Sequence, residues 1–170
     1  MRVHIRPATD GDISFLTEVA VSTLKDQGRW PADEDEAEYR VGYAEWTREQ
    51  IMGGEPFSSL SVLEVNGVRV GRLRVVRPGN LVEIAGIQVM PTSQGQGIGT
   101  QVIRALIAEA GAAGLPLELG VETDNPRARA LYDRLGLRPV TGDGEETRMR
   151  LDPPFADPSD QVHVSRPVHG

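Results

Sequence analysis

The alternation of apolar and polar positions divides the chain into strands and helices. Period-two alternation indicates a strand, whereas apolar residues three or four positions apart indicate a helix. The predicted strands span 2–6, 58–65, 68–76, 81–90, 115–121, 137–140 and 145–151. The predicted helices span 10–25, 34–52, 98–112 and 126–136. The order β-α-α-β-β-β-α-β-α-β-β predicts a mixed α/β (α+β) layer with hairpins early and a crossover helix in the middle.

Turn and cap residues support these boundaries. Asn66-Gly67, between the second and third strands, is a strong hairpin signal. Gly53-Gly54 follows the second helix, and Asn125-Pro126 supplies an N-cap and a first helical residue for the last helix. We therefore expect one domain over 1–152, followed by a proline-containing C-terminal tail over 153–170.

The fourth predicted strand changes phase in its middle. Its apolar residues Val82 and Ile84 stand at even positions, whereas Ile87 and Val89 stand at odd positions. Since side chains alternate along a strand, one extra residue has entered the pattern. We predict a β-bulge at Ala85–Gly86, which leaves backbone N–H groups free for a ligand. A strand buried on both faces, where phase has little meaning, is the alternative.

A glycine-rich stretch, Gln94-Gly95-Gln96-Gly97-Ile98-Gly99, separates this strand from the third predicted helix. Glycines let a ligand approach the backbone, and a helix start offers free N–H donors with a partial positive charge. The stretch therefore predicts a pyrophosphate site, to which Thr100 adds a hydroxyl. It lacks the lysine of a P-loop, and its spacing and late position do not suit a Rossmann fingerprint. A tight turn without a ligand is the other interpretation.

Composition narrows the classes of function. The chain of 170 residues has no cysteine, which excludes disulfides, thiolate metal ligands and a cysteine-linked acyl-enzyme. Its formal net charge of −7 argues against nucleic-acid binding. No apolar run is long enough for a membrane span, and the first residues lack the apolar stretch of a secretory signal. We expect a cytoplasmic protein without a metal site and without nucleic-acid or membrane partners.

Two motifs give the chain a resemblance to a known family. Val89-Met90-Pro91 leads into the glycine-rich stretch, which is similar to a Gln/Arg-x-x-Gly-x-Gly/Ala cofactor motif. The stretch from Asn125 to Leu137 is similar to Asn-x-x-Ala-x-x-Leu-Tyr-x-x-x-Gly-Phe, with Leu137 in place of the final Phe. Over roughly residues 2–151 the chain therefore resembles the GNAT superfamily of N-acetyltransferases.

The resemblance implies a fold and an activity. The fold is a twisted mixed sheet of about seven strands flanked by about four helices. Its bulged fourth strand splays from the fifth and admits the pantetheine arm of the cofactor. The activity of the acetyltransferase domain, 1–152, is transfer of an acetyl group from acetyl-CoA directly to a primary amine. The alternative is a catalytically silent acyl-CoA-binding sensor or regulatory domain on the same fold.

The resemblance also assigns catalytic roles. Tyr132 is the acid that protonates the CoA thiolate, and Glu83, eleven residues before Gln94, is the first choice for the base. The other choices for the base are Glu118, Glu122 and a water chain. The structural alternative for Glu83 is an ion pair with an arginine such as Arg72 or Arg74.

Both motifs are expected to hold acetyl-CoA. A backbone N–H of the bulged strand, best placed at Val89, would stabilise negative charge on the acetyl oxygen. Asn125 would bond the pantetheine arm besides capping its helix. Arg127 and Arg129 would either reach the CoA 3′-phosphate or adenine edge or stay solvated. The full set of predicted cofactor-binding residues is Gln88, Val89, Gln94, Gly95, Gln96, Gly97, Ile98, Gly99, Thr100 and Asn125.

The acceptor pocket is expected between the first two helices. Aromatic and acidic residues there, above all Trp30, Tyr39 and Tyr43, suit a cationic amine. Tyr39, Tyr43 and Trp46 share one helix face, so they also fit a simple core stripe. The expected acceptor is a small-molecule amine or a peptide N-terminus. The sequence leaves the identity of the acceptor and the oligomeric state open, a homodimer included.

Overall fold

A seven-stranded sheet forms the centre of the computed structural model, which describes residues 1–141 and 144–153. The strands are β1 (Val3–Pro7), β2 (Ser58–Val65), β3 (Val68–Val76), β4 (Val82–Val89), β5 (Leu117–Glu122), β6 (Arg138–Thr141) and β7 (Glu146–Leu151). The helices are α1 (Ile13–Asp26), α2 (Glu36–Ile51), α3 (Ile98–Ala113) and α4 (Pro126–Arg134). The predicted fold class and element order are confirmed. From residue 154 onward, the predicted tail lies outside the described residues.

The strands form one mixed sheet in the order β1-β2-β3-β4-β5-β7-β6. Neighbouring strands are antiparallel except β4 and β5, which run parallel because α3 carries the chain back between them. The predicted hairpin joins β2 to β3, and Asn66 and Gly67 have φ of 51° and 78°, which a type I′ turn requires. The only parallel pair in the described sheet therefore lies near its centre.

β4 contains the predicted bulge. Arg74 of β3 pairs with Gly86, but the next residue, Val75, pairs with Ile84, so Ala85 has no partner on β3. The extra residue moves the following side chains to the opposite faces of the sheet, which explains the phase slip in the sequence.

The two faces of the sheet are covered differently. α3 and α4 pack on one face over the main apolar core, whose members include Leu73, Ile84, Ile103, Leu119 and Met149. α1 covers part of the other face with a smaller apolar cluster. α2 lies beside α1, and its buried residues are the polar Thr47 and Gln50. Aromatic and charged side chains therefore fill much of the space between α2 and the sheet.

The first helix begins later than predicted. Asp10–Asp12 form a 3-10 turn, and α1 starts at Ile13. The Asp12 carboxylate accepts hydrogen bonds from the Arg6 guanidinium at 2.7 and 2.8 Å and from the Thr9 N–H at 2.9 Å. These bonds fix the turn and tie the start of α1 to β1.

Candidate active site

A cleft opens where β4 and β5 separate. The two strands pair only from Val82–Leu117 to Ile84–Leu119, and the bulge at Ala85 then bends β4 away. The cleft has a volume of about 290 Å³. Its lining includes Glu83, Gly86, Gln88, Tyr132 and Arg148.

Backbone groups of β4 face the opening. The Met90 N–H donates to the Val70 carbonyl of β3 at 2.8 Å. Because backbone groups alternate in direction along an antiparallel strand, those of Gln88 also point to β3, whereas those of Ile87 and Val89 point away from it. The Val89 N–H is therefore directed toward the space between β4 and β5, and Gln88 contributes its side chain.

The glycine-rich stretch forms the turn between β4 and α3. Gly95 and Gly97 have φ of 77° and 79°, in the left-handed region where a side chain is strained. The Gln94 side chain donates to the Val89 carbonyl at 3.0 Å, which ties the turn to β4. Glycine is thus required here by the backbone itself.

The first turn of α3 offers unpaired donors. The Gln101 N–H donates to the Gly97 carbonyl at 3.0 Å, so the N–H groups of 98–100 have no acceptor within the helix. A Cβ on Gly95, Gly97 or Gly99 would have nothing within 4 Å. The space in front of these donors is therefore open to an anionic ligand.

A second cavity, of about 460 Å³, lies in front of this turn. Arg127 and Arg134 line it and supply positive charge for phosphate groups. The cavity shares Gln27, Asn125 and Ala128 with the cleft, so the two adjoin. Such an arrangement suits a ligand that joins phosphate groups to a long narrow arm, and CoA is a ligand of this kind.

Asn125 stands between the two cavities. Its Oδ1 accepts a hydrogen bond from the Ala128 N–H at 3.1 Å, which confirms the predicted N-cap of α4. Its amide nitrogen forms no hydrogen bond within the described residues and can donate to a ligand. Arg129, the other candidate for the CoA phosphate, pairs instead with Asp133 at 3.4 Å.

Tyr132 of α4 packs its ring against the apolar core and lines the cleft. Burial raises the pKa of its hydroxyl above the usual value. The hydroxyl is therefore protonated at neutral pH and can act as a proton donor.

Glu83 enters the cleft from β4 and is held by an arginine. Arg148 donates to its carboxylate at 3.2 Å and to Glu118 at 3.1 Å. An ion pair between Glu83 and an arginine was the structural alternative, and it is present, but its partner is Arg148 rather than Arg72 or Arg74, because β7 lies beside β5 and brings in a residue 65 positions away. The side chain of Glu83 is 30% exposed, so water can reach its carboxylate.

Trp30, Tyr39 and Tyr43 come together, but they are not among the residues that line the cleft. Ring centroids are 5.1 Å apart for Trp30 and Tyr39 and 6.0 Å apart for Tyr39 and Tyr43, and Trp46 extends the row at 5.5 Å from Tyr43. Lys25 already lies 5.6 Å from the Trp30 ring. A role of this row in acceptor binding remains a prediction.

Sequence reasoning missed Arg148 and Gln27. Arg148 alternates with apolar residues along β7, a pattern typical of any solvent-facing side chain, and only the strand register shows its contact with Glu83. Gln27 follows α1 and lines both cavities. The positive φ of 67° at Gly28 marks the end of this helix.

The splayed strand and the glycine-rich turn together define an acyltransferase of the CoA-dependent kind. A family model described as Acetyltransferase (GNAT) family matches residues 20–137. The chain belongs to the GNAT family of acetyltransferases, and the predicted family is confirmed. Acetyl-CoA is its acyl donor, as predicted.

Solved structures share this fold. The PaiA N-acetyltransferase of Thermoplasma acidophilum, in complex with coenzyme A, is 19% identical with a TM-score of 0.73 and covers 89% of this chain and 99% of its own. YncA of Salmonella typhimurium, a putative acetyltransferase with acetyl-CoA, is 24% identical with a TM-score of 0.60 and covers 93% and 98%. A chimera of spermidine N-acetyltransferase SpeG from Vibrio cholerae and hSSAT is 20% identical with a TM-score of 0.67 and covers 89% and 96%.

Across 1–141 and 144–153, no three acidic or histidine side chains are grouped so as to hold a metal ion. Within the same ranges, no helix is long and apolar enough to cross a membrane.

Proposed function

We propose that the protein is an N-acetyltransferase that moves the acetyl group of acetyl-CoA directly to a primary amine. One observation carries the proposal. Tyr132 and Glu83, a proton donor and a proton acceptor, line one cleft, and this cleft adjoins the cavity bordered by Val89 and the glycine-rich turn.

The residues that hold the donor follow from the two cavities. Bound acetyl-CoA supplies an acetyl group activated as a thioester. The N–H groups of 98–100 and the guanidinium groups of Arg127 and Arg134 hold its phosphates. Asn125 bonds the pantetheine arm, which directs the acetyl group to the opening beside Val89.

Acetyl transfer then needs three groups of the chain. The neutral amine attacks the carbonyl carbon, a C–N bond forms, and the C–S bond breaks. The Val89 N–H stabilises the negative charge on the carbonyl oxygen. Glu83, directly or through water, takes the proton that the nitrogen loses, and Tyr132 gives its proton to the leaving sulfur. Proton exchange with water restores both side chains.

The acceptor class has indirect support. Structural neighbours include the spermidine N-acetyltransferase chimera and RimL, a ribosomal L7/L12 alpha-N-protein acetyltransferase. Small amines and peptide N-termini are therefore the classes proposed here. A cytoplasmic location and a homodimer remain predictions.

Tyr132→Phe tests the proposal. We expect kcat to fall about 100-fold, because the thiolate leaves without a proton. The Kd of acetyl-CoA, measured by calorimetry, should stay nearly unchanged and shows that the variant is folded. An unchanged kcat would remove Tyr132 from the role of acid.

A further inference from the structure

A buried arginine lies beside the cleft without a carboxylate partner in the described part of the chain. Arg72 of β3 is only 6% exposed. Its Nη1 donates to the Gln88 side-chain oxygen at 2.6 Å, and its guanidinium lies 5.8 and 5.4 Å from the ring centres of Tyr43 and Trp46. Its Nε has no hydrogen-bond partner there. Burial lowers the pKa of Arg72, since a buried cation without a counter-ion is costly.

Six other arginines of the described chain also lack a carboxylate partner, but all six are exposed: Arg2, Arg48, Arg104, Arg127, Arg134 and Arg138. Nine arginines have such a partner, and their side chains are between 21% and 41% exposed, so they need a counter-ion less than Arg72 does. These paired residues are Arg6, Arg29, Arg40, Arg69, Arg74, Arg77, Arg129, Arg148 and Arg150. Arg72 is therefore the buried arginine among those of the described chain that have no carboxylate partner.

A second unpartnered group lies next to Arg72. The Tyr43 hydroxyl is buried beside the guanidinium and forms no aligned hydrogen bond within the described residues. Gln88 accepts from Nη1, and Nε, on the other edge of the guanidinium, has no partner within the described residues. A carboxylate is planar and accepts only, so one carboxylate can accept from this edge and from the hydroxyl together.

The guanidinium of Arg72 also lies close to the part of the cleft that is formed by the bulge in β4. A Cβ on Gly86 would stand 2.9 Å from Arg72 Nη1, so the guanidinium covers the bulge where β4 leaves β5. Gly86 and Gln88 both line the cleft that holds Tyr132. An anion held by Arg72 is therefore a neighbour of the attacking amine.

We propose that Arg72, with Tyr43 and Gln88, binds a carboxylate of the acceptor, so that the acceptor class is amino acids rather than amines without an anionic group. This inference rests on the proposed N-acetyltransferase function and names the substrate class of the same site.

The charges around the cleft suit such an acceptor. On the other side of Gly86, β4 carries Glu83, the proposed base. An amino acid with its carboxylate on Arg72 can direct its amine toward Glu83. The guanidinium also lowers the pKa of a nearby ammonium group, which favours the neutral amine that attacks. A polyamine, in contrast, brings only positive charge to Arg72.

A carboxylate that reaches Arg72 passes Tyr43 of α2, whose ring centre lies 5.8 Å from the guanidinium. The buried residues of α2 are the polar Thr47 and Gln50. Entry of the carboxylate therefore requires the Tyr43 side chain to move aside.

The test compares amines that differ only in the carboxylate. A panel of L-amino acids is assayed beside the matching decarboxylated amines, for example L-phenylalanine with phenethylamine, and spermidine is included. Release of CoA thiol gives kcat/KM for each. We expect the amino acid to exceed its partner by about 100-fold or more for at least one pair, since a site built for a polar group rejects the analogue without it.

Variants of Arg72 test whether the preference for a carboxylate depends on its guanidinium. Arg72→Gln should raise KM for the preferred amino acid about 100-fold, leave the Kd of acetyl-CoA unchanged and spare the carboxylate-free amine. Arg72→Lys should recover part of the loss. The matched control is Arg74→Gln, because Arg74 also lies over the Trp46 ring, at 5.6 Å, but has Glu55 as its partner. This control should change KM less than about 3-fold.

The possible failures are distinct. Equal kcat/KM within every pair, or an equal loss for both members in Arg72→Gln, overturns the carboxylate site and leaves N-acetyl transfer intact. Binding of acetyl-CoA without transfer to any amine overturns the proposed function and this inference together. The pairwise comparison uses the unaltered protein, so it decides the question even if Arg72→Gln does not fold.

Discussion

Single residues of the cleft have different environments because the fold places each against different neighbours. Tyr132 is packed against the apolar core, and burial raises the pKa of its hydroxyl. Glu83 accepts a hydrogen bond from Arg148, and its side chain is 30% exposed. The proposed acid is therefore a buried hydroxyl, and the proposed base is a carboxylate that water can reach.

The pH dependence of the rate tests the acid. The raised pKa of Tyr132 means that the hydroxyl is lost only above its ordinary value of about 10. We expect kcat to rise with pH as the acceptor amine becomes neutral, and to fall only beyond about pH 10. In Tyr132→Phe the alkaline fall should disappear. A fall near neutral pH that Tyr132→Phe abolishes would contradict this assignment.

A pair of variants tests the base. Glu83→Gln should lower kcat about 100-fold near neutral pH, with a smaller loss at high pH, where hydroxide can take the proton that the nitrogen loses. Glu118→Gln is the matched control, because Glu118 bonds the same Arg148 but is not among the residues lining the cleft. Equal losses in the two variants would show that the ion pair, rather than proton transfer, matters.

At the scale of elements, the site is built where two irregularities meet. The bulge bends β4 from β5, and the glycine-rich turn starts α3 with unpaired N–H groups beside that opening. In the proposed function, the bulge provides the narrow gap for the pantetheine arm of acetyl-CoA, and the start of α3 provides the site for its phosphates.

Gly99→Ala separates binding from folding. Gly99 has ordinary helical backbone and open space around it, so alanine should stabilise the protein by about 0.5–1 kcal/mol. The added Cβ narrows the phosphate site, and we expect the Kd of acetyl-CoA to rise about 10-fold. Gly42→Ala in α2, also in open space, is the control that should gain stability without changing Kd. Unchanged Kd in Gly99→Ala would contradict the phosphate assignment.

The local sequence pattern predicted the strands and helices well, because these elements depend on hydrophobic periodicity and turn residues within short stretches of the chain. The bulge in β4 was visible as a phase slip, and the N-cap at Asn125 was visible from its place before Pro126. Contacts between distant strands were not predictable in the same way. Arg148 reaches Glu83 only because β7 inserts beside β5, and the burial of Arg72 depends on how α2 covers β3.

At the scale of the whole molecule, a buried carboxylate joins three parts of the chain. Asp12 is 3% exposed and bonds Arg6 of β1, Thr9 of the preceding turn and Arg69 of β3. The Arg6 guanidinium holds the pKa of this carboxyl well below its usual range. Asp12 therefore contributes to folding stability whenever it is ionised.

Asp12→Asn should lower the free energy of unfolding by about 1–3 kcal/mol at pH 7, because the buried side chain loses its charge-assisted hydrogen bonds with Arg6 and Arg69, although Arg6 keeps Glu64 as a partner. The folded-state pKa lies below the unfolded value of about 3.9, so the stabilisation is complete above that pH and is lost as pH falls below it. The variant should lose less stability on acidification, as measured by urea unfolding. Asp10→Asn, at an exposed position of the same turn, should cost less than about 0.5 kcal/mol. Similar losses in both variants would contradict the role of the Asp12 contacts.

The proposed function of this GNAT acetyltransferase is direct transfer of the acetyl group from acetyl-CoA to a primary amine. The most direct measurement follows release of CoA thiol from acetyl-CoA across a panel of amines and identifies the products by mass spectrometry. We expect one N-acetylated amine for each thiol released, with no acetylated protein after a rapid quench. Tight binding of acetyl-CoA without acetylation of any amine would contradict the claim and favour an acyl-CoA sensor.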